Sequence, residues 1–437
     1  MSVEHTRARE LWTPSDIVRE LDRYVVGQSD AKRALALALR ERWRRARLDP
    51  ALADEIRPRN ILLVGPTGVG KTELARRLAT LSGSPFVKVE ASRFTEVGYV
   101  GRDVEAMIRD LIEAAVVLVR TEHEDRVRPR AMRQAEERLG ELLSRSPSRY
   151  PMVEGLTLEE VVLRLRSGAL EHVVVEIMVP EAADSGDKTT ERRWGFEHWF
   201  PRRRPSRQLS VADALRQLRD EAMGHLLDRQ AVVDEAIRRA ERDGIIFLDE
   251  IDKVAGSDGA RTGPDISRQG VQRDLLPIVE GARVETRWGE VRTDGMLFIA
   301  AGAFHVSRVS DLMPELQGRF PVRVALQSLG MAELRRILTE PASNLIAQYC
   351  ALLATEGVEV HVTQDAIDEL ARFAHLANER LENIGARRLY TVMERLFDEL
   401  SFHAPEMQGV RVEIAAPYVH ERLAEVLRSD DMSRYIL

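Results

Sequence analysis

Cysteine is nearly absent from this sequence, which contains Cys350 and no other cysteine among its 437 residues. A single cysteine cannot form an internal disulfide or a zinc site built from cysteines, so both kinds of stabilised module are excluded. This usage is typical of a protein in a reducing compartment. Cys350 itself is best interpreted as a small hydrophobic residue of the core.

An excess of positive charge is also missing, because 64 Lys and Arg residues face 71 Asp and Glu residues, for a net charge of −7. Nucleic-acid-binding proteins usually carry a basic surface, so this balance argues against a nucleic-acid partner. Long apolar segments are missing too, since runs such as 296–304 are far shorter than the roughly 20 residues of a membrane-spanning helix. Residues 1–10 contain no apolar signal core. We therefore expect a cytoplasmic protein without a membrane partner.

What the sequence does contain is a glycine-rich phosphate-binding motif. Residues 65–72 (GPTGVGKT) match the pattern G-x-x-x-x-G-K-[ST] at every fixed position, between the apolar run 61–64 and a helix-forming segment. Glycines let the backbone curl until several N–H groups converge on phosphate oxygens, and the following helix adds the positive end of its dipole. Lys71 supplies a mobile positive charge for the outer phosphates. The Thr72 hydroxyl is placed to ligate Mg²⁺.

A second motif combines a buried strand with two acids. In the segment 244–250 (GIIFLDE) four apolar residues precede Asp249 and Glu250. Alone, this pattern could be a capped strand end. Together with the phosphate-binding loop it predicts that Asp249 holds Mg²⁺ through the water shell of the ion and that Glu250 activates the attacking water as general base.

Three further residues leave two interpretations open from the residues alone. Val26 could wall an adenine ring or pack between helices. Tyr99, which lies between two glycines, could be exposed and mobile or folded back onto the core. Arg319 could reach the γ-phosphate of a neighbouring subunit or form a surface salt bridge.

The chain length and the spacing of the motifs predict several domains. A chain of this length usually divides into two or three domains. The stretch between the two nucleotide motifs is helical in pattern, rich in charge and too long to be a loop inside a compact domain. We therefore expect an inserted domain at 111–239 that interrupts a first domain formed by 1–110 and 240–330. A third, mostly helical domain follows at 331–437.

The order of the phosphate-binding loop, the Asp249-Glu250 pair, Arg319 and the segment Gly385-Ala386-Arg387 resembles the AAA+ superfamily of ATPases. This resemblance implies an α/β fold: an AAA+ P-loop NTPase domain, an inserted mainly helical domain and a small C-terminal helical lid domain.

Within that superfamily the chain resembles the HslU (ClpY) family, the unfoldase subunits of two-component ATP-dependent proteases. The resemblance is carried by Gly98-Tyr99-Val100-Gly101, by the long insertion, and by the segments 267–277, 314–319 and 433–437. It extends from Thr13 to Leu437 and is weakest between about 122 and 209.

The resemblance also implies site residues, position by position. The nucleotide-binding residues are Val26, Gly65, Gly68, Val69, Gly70, Lys71, Thr72, Glu73, Asp249, Glu315 and Arg387. Thr72 and Asp249 hold Mg²⁺, and Glu250, Asp249 and Arg319 are the catalytic residues, with Arg319 acting on the nucleotide of a neighbouring subunit. Tyr99 and Val100 grip the substrate in a central pore.

From the residues alone, the C-terminal residues Tyr435, Ile436 and Leu437 are interpreted as a frayed chain end. The resemblance implies instead that they dock onto a peptidase ring. One departure from the family is Ala301, which stands where the strand after Asp249 usually ends in a polar residue that helps to place the attacking water.

The implied function is that of a homohexameric ATPase that uses ATP and Mg²⁺ to unfold protein substrates and to translocate them into a separate threonine peptidase ring (HslV-like), which it activates. No Ser-His-Asp set, zinc signature or N-terminal threonine stands out, so a peptidase site of its own is not expected. The alternative is an ATP-switched protein remodeller or scaffold of the ClpX type that acts without this peptidase. The four-cysteine zinc module of ClpX is excluded because Cys350 is alone.

Overall fold

The computed structural model describes residues 12–56, 58–94, 103–146, 148–178, 206–256 and 268–428. The chain divides into two compact units, one formed by 1–118 and 234–437 and the other by 119–233. The narrower predicted division, with an insertion at 111–239 and a separate third domain from 331, stays a prediction.

Helices account for most of the described residues. In chain order they are α1 (Pro14–Asp22), α2 (Ser29–Arg45), α3 (Pro50–Glu55), α4 (Lys71–Ser82), α5 (Ala106–Ser144), α6 (Leu158–Arg166), α7 (Val211–Leu226), α8 (Arg229–Asp243), α9 (Arg268–Glu280), α10 (Pro314–Arg319), α11 (Met331–Thr339), α12 (Leu345–Ala354), α13 (Gln364–Arg380), α14 (Arg387–His403) and α15 (Ala416–Arg428).

The strands are short. They are β1 (Ile61–Val64), β2 (Phe86–Glu90), β3 (Val174–Met178), β4 (Ser206–Ser210), β5 (Ile245–Asp249), β6 (Arg283–Thr286), β7 (Gly289–Arg292), β8 (Leu297–Gly302), β9 (Val322–Ala325), β10 (Glu359–Val362) and β11 (Arg411–Ile414).

The centre of the first unit is a parallel five-stranded sheet with the order β2-β5-β8-β1-β9. Strands β5 and β8 consist almost entirely of buried apolar residues, because a parallel sheet is covered on both faces and its strands need continuous apolar runs. Strands β1 and β5 lie on either side of β8 and point the same way. β1 leads into the phosphate-binding loop, and β5 ends at Asp249. The loop and Asp249 therefore lie at the same edge of the sheet. This confirms the predicted α/β fold.

A hairpin formed by β6 and β7 precedes β8. Its strands pair antiparallel, with Arg283 opposite Arg292 and Thr286 opposite Gly289. The alternating pattern of this segment around a glycine predicts such a hairpin, so the sequence signal and the structure agree here.

The second unit has its own apolar core. Residues of α6 and α7, such as Val161, Leu165 and Leu218, pack with Val175 and Ile177 of β3. Strand β3 pairs antiparallel with β4. The sequence predicts helices for most of this region and mostly loop at 180–208, so it indicates neither strand of the β3–β4 ribbon. Residues 206–208 of β4 correct the predicted loop.

The lid is the part of the first unit that comprises α11 to α15 together with the parallel pair β10 and β11. Its helices are amphipathic, and α13 buries one apolar face that includes Ile367, Leu370 and Phe373. The Asn344 side chain caps α12 by accepting a hydrogen bond of 2.8 Å from the Ala347 N–H. Across the described residues, none of the helices combines the length and the apolar character that crossing a membrane would require.

Replacing Phe397 by alanine should destabilise the lid by about 3–5 kcal/mol, because a fully buried aromatic side chain leaves a cavity when it is removed. Phe397 is 0% exposed, and its ring stacks on Tyr349 with a centroid distance of 4.8 Å. Urea unfolding followed by circular dichroism measures the change in unfolding free energy.

The matched control lies on the same helix. Phe402 is 79% exposed, so Phe402→Ala should change the unfolding free energy by no more than about 0.5 kcal/mol. Equal losses in the two variants would contradict the assignment of Phe397 to the core.

Candidate active site

The carboxyl edge of the central sheet opens into a cavity of about 940 Å³ within the first unit. Its walls come from the loop before α2, the phosphate-binding loop, the end of β5, the loop after β8 and the lid. The residues predicted from the sequence that line this cavity are Val26, Gly68, Val69, Gly70, Lys71, Thr72, Glu73, Asp249, Glu250 and Arg387.

The phosphate-binding loop has a backbone that only glycine adopts easily at two positions. Gly68 has φ +76° and Gly70 has φ +96°, both in the left-handed region. Gly70 also caps the N-terminus of α4, so the free N–H groups of the first helical turn face the cavity. Gly65 does not line the cavity; its N–H donates a hydrogen bond of 3.1 Å to the Gly302 carbonyl and ties the start of the loop to β8.

Lys71 is folded back onto the loop that carries it. Its ammonium donates hydrogen bonds to the carbonyl oxygens of Gly65 and Pro66, the second at 2.8 Å. Burial lowers the pKa of Lys71 from its ordinary value, the nearby carboxylates of Asp249 and Asp252 partly oppose this, and the positive charge of Arg387 adds to it. A phosphate group that replaces the two carbonyls would give this buried charge a stronger partner.

Thr72 and Asp249 bring two oxygen ligands together. The Thr72 hydroxyl donates to Asp249 Oδ2 at 3.5 Å, and Lys88 Nζ forms an ion pair with the same oxygen at 3.0 Å. A hydroxyl and a carboxylate are hard oxygen donors that suit Mg²⁺. The described residues contain no group of three or more His, Cys, Asp or Glu side chains that could hold a metal by themselves. The pair therefore fits Mg²⁺ as part of a shell that nucleotide phosphates and water complete.

Glu250 adopts an unusual backbone conformation. Its φ is +56°, which is uncommon for a residue with a long side chain and is typical of strained functional positions. The carboxylate accepts a hydrogen bond of 2.8 Å from the Ser92 hydroxyl. Ser92 follows β2 and is separated from Glu250 by 158 positions, so no local sequence pattern could have revealed this partner.

The loop before α2 forms the apolar end of the cavity. Val26 is buried and lines the cavity next to Tyr24. The Arg77 guanidinium lies over the Tyr24 ring at 4.0 Å and donates a hydrogen bond of 2.6 Å to Glu73. Burial acts to raise the pKa of Glu73, but the hydrogen bonds from its arginine neighbours outweigh it and hold that pKa below the ordinary value.

The lid closes directly onto the phosphate-binding loop. The Ala386 N–H donates a hydrogen bond of 3.0 Å to the Gly68 carbonyl, and a Cβ at Gly68 would lie 1.8 Å from the Ile384 oxygen. The buried Asn378 side chain fixes this lid segment by donating to the Gly385 carbonyl at 3.1 Å and accepting from the Ile384 N–H at 3.3 Å. The backbone of the lid and that of the loop are therefore in contact.

Other predicted residues lie away from this cavity. Glu315 is exposed on α10, and Arg319 at the end of α10 forms an ion pair with Glu280; neither lines the cavity. Tyr99, Val100 and the C-terminal residues 435–437 lie outside the described residues.

The loop after β8 contributes polar groups that the sequence analysis missed. Ala301 is buried within the strand, as its apolar side chain requires. His305 and Ser307 follow it in the same loop and line the cavity. Both residues lie beyond the end of β8, in the loop, and not on the strand itself.

Gly68→Ala should weaken ATP binding at least tenfold, roughly the effect of 1.4 kcal/mol. An alanine at this position meets both the positive φ and the Ile384 oxygen, so the loop and the lid must separate. Titration with a fluorescent ATP analogue measures the dissociation constant.

Gly83→Ala provides the control at the other end of α4. Gly83 also has a positive φ, +65°, but a Cβ there meets nothing within 4 Å. This variant should lose stability on the order of 1 kcal/mol and keep the parent affinity for ATP. Equal affinities of the Gly68 and Gly83 variants would show that the contact between loop and lid does not matter for binding.

Comparison with known proteins places the sequence of this chain in a family. Residues 61–145 match the ATPase family associated with various cellular activities (AAA), and residues 174–323 match the AAA domain of the Cdc48 subfamily. The chain is 52% identical to the ATP-dependent protease ATPase subunit HslU of Myxococcus xanthus, over 98% of this chain and 99% of that protein. It is 51% identical to the HslU protein of Oleidesulfovibrio alaskensis over 97% of this chain and 99% of that protein, and 49% identical to that of Desulfitobacterium hafniense over 98% and 100%. The chain is therefore an AAA ATPase and belongs to the HslU family of ATPase subunits of ATP-dependent proteases.

Proposed function

We propose that this chain hydrolyses ATP to unfold protein substrates and to translocate them into an associated threonine peptidase ring, which it activates. The observation that carries this proposal is the single cavity in which Lys71, Asp249, Glu250 and the lid residue Arg387 meet. A site with these groups binds and hydrolyses a nucleotide, and its contact with the lid lets the nucleotide act on a movable part of the protein.

Hydrolysis needs a group that binds phosphate and a group that activates water. Lys71 and the N–H groups of the first turn of α4 would bind the outer phosphates. Glu250 would accept a proton from the attacking water on its carboxylate. Ser92 already holds one oxygen of this carboxylate, so it would orient the base.

Mg²⁺ and the adenine ring of the nucleotide would have partners in the same cavity. Thr72 and Asp249 would hold Mg²⁺, which neutralises the charge that develops on the phosphates. Val26 would contact the adenine ring from the apolar end. Arg387 would contact the phosphates from the lid, and Glu73 keeps Arg77 against Tyr24 at the apolar end.

Glu315 and Arg319 support an assembly of several copies. Both lie outside the cavity of their own chain, whereas an arginine finger acts only at a phosphate. We propose that they complete the site of a neighbouring copy in a homohexamer. Head-to-tail contacts of this kind form a closed ring when the rotation between successive copies closes.

The contact between Gly68 and Ala386 gives hydrolysis a mechanical output. Loss of the outer phosphate would change the loop that touches the lid, and a lid that moves would shift the pore residues of the ring. Tyr99 and Val100 would then pull the substrate, with Tyr99 as the aromatic that grips the chain. This step would take place in the cytoplasm with no membrane or nucleic acid involved.

The proteolytic step requires a partner. The curated relatives are named as ATPase subunits of a protease, and we propose that the partner of this chain is an HslV-like threonine peptidase ring. Tyr435, Ile436 and Leu437 would dock into clefts of that ring. Six weak docking segments on one ring would bind tightly together through their effective concentration.

Lys71→Ala should abolish ATP binding, whereas Glu250→Gln should bind ATP with parent affinity and lose at least about 10² in hydrolysis rate. The first change removes a phosphate contact of the ground state, and the second removes only the activation of water. Calorimetric titration and a phosphate-release assay separate the two effects.

Lys253→Ala is the control for the loss of a charge close to Asp249 and Glu250. Lys253 lines the same cavity but has no proposed role in hydrolysis. Its hydrolysis rate should stay close to that of the parent protein. Near-normal turnover in Glu250→Gln would rule out Glu250 as the base.

Deletion of residues 435–437 should leave basal ATP hydrolysis intact and abolish activation of an HslV-like peptidase, because the docking segments are lost while the nucleotide site is untouched. A fluorogenic peptide assay with the peptidase present measures activation. Ser433→Ala, just before the deleted residues, should retain it. Full activation of the peptidase by the truncated protein would contradict the docking proposal.

A further inference from the structure

Asn60 is a buried amide side chain that joins two parts of the first unit. It is 6% exposed and lies immediately before β1. Its Nδ2 donates a hydrogen bond of 3.1 Å to the Arg319 carbonyl, and its Oδ1 accepts one of 3.0 Å from the Phe298 N–H of β8. Both polar ends of this side chain are therefore satisfied by backbone groups.

Arg319 is consequently fixed at both ends. Its carbonyl is bound to Asn60, and its guanidinium forms an ion pair with Glu280 at the end of α9. The helix that carries it, α10, has only six residues, so few hydrogen bonds within the helix hold its last residue. The contact with Asn60 supplies what this short helix lacks.

The same strand connects Asn60 to the phosphate-binding loop. β1 begins just after Asn60 and ends at Val64, directly before Gly65. At about 3.3 Å per residue its length is near 13 Å. β1 also lies between β8 and β9, so its position is held on both sides. Asn60 thus ties Arg319 to the rigid centre of the sheet.

We propose that Asn60 is a positioning residue for Arg319, holding the end of α10 so that the guanidinium can exchange its ion pair with Glu280 for the nucleotide of the neighbouring subunit. This inference rests on the proposed function, in which Arg319 acts in trans. Asn60 is not proposed as a catalytic residue, because it does not line the cavity. An amide suits the position because one end must donate to a carbonyl while the other accepts from an N–H.

A purely structural role would also explain why the Asn60 amide is buried. The two roles, structural and positioning, are separated by placing the Asn60 substitution in one or the other type of subunit of a mixed ring. Lys71→Ala subunits lack a working phosphate-binding loop but can supply Arg319. Arg319→Ala subunits have a working loop but cannot supply the arginine. When the two are mixed, the active interfaces combine the phosphate-binding loop of an Arg319→Ala subunit with Arg319 of a Lys71→Ala subunit.

The experiment places Asn60→Asp in one type of subunit at a time and measures phosphate release. Aspartate keeps the size and the acceptor for the Phe298 N–H, but it loses the donor to the Arg319 carbonyl. In the Lys71→Ala subunit the substitution should lower the complemented rate at least tenfold, since a displacement of roughly 1 Å can cost on the order of 10²-fold. In the Arg319→Ala subunit it should change the rate by no more than about twofold, because distant sites act independently.

Two further measurements complete the test. Asn60→Ala, which introduces no buried charge, must give the same asymmetry if Asn60→Asp subunits fail to fold. In a ring that is otherwise unchanged, Asn60→Asp should lower kcat and leave the ATP dissociation constant as it was. Equal effects in both placements, whether loss or no loss, would overturn the positioning role. No activity in the parent mixture of Lys71→Ala and Arg319→Ala would overturn the action of Arg319 in trans and the Asn60 inference with it.

Discussion

Phosphate binding by backbone N–H groups requires glycine where the loop curls most sharply, and this constraint shapes the first unit. Gly68 and Gly70 hold conformations that other residues avoid. The space that the missing side chain of Gly68 leaves is taken by the lid, where a Cβ would lie 1.8 Å from the Ile384 oxygen, and the Ala386 N–H binds the Gly68 carbonyl. The loop is therefore both the phosphate site and the surface on which the lid rests.

The charged groups around the loop have polar partners within the protein. Lys71 lies on carbonyl oxygens of its own loop, and Asp249 is paired with Lys88. Each of these groups has a polar partner that a ligand must replace, so neither is left as an isolated buried charge, which would be costly.

Much of this arrangement follows from the sequence, but not all of it. The phosphate-binding loop, the buried strands and the acids after β5 have local signatures, because they depend on glycine positions and on apolar runs that are continuous along the chain. The contact between Ser92 and Glu250 and that between Asn60 and Arg319 join residues 158 and 259 positions apart. A serine or an asparagine has no local pattern that indicates which distant group it will meet. The β3–β4 ribbon was missed for a similar reason, because pairing between strands is not encoded within either strand.

The left-handed conformation of Glu250 has a consequence for how this position tolerates change. Asparagine and glycine adopt a φ near +56° more readily than glutamate does. The left-handed conformation costs a residue such as glutamate on the order of 1 kcal/mol, and asparagine or glycine would relieve that strain. With Glu250 in its proposed role as general base, position 250 is one at which stability and turnover are in direct conflict.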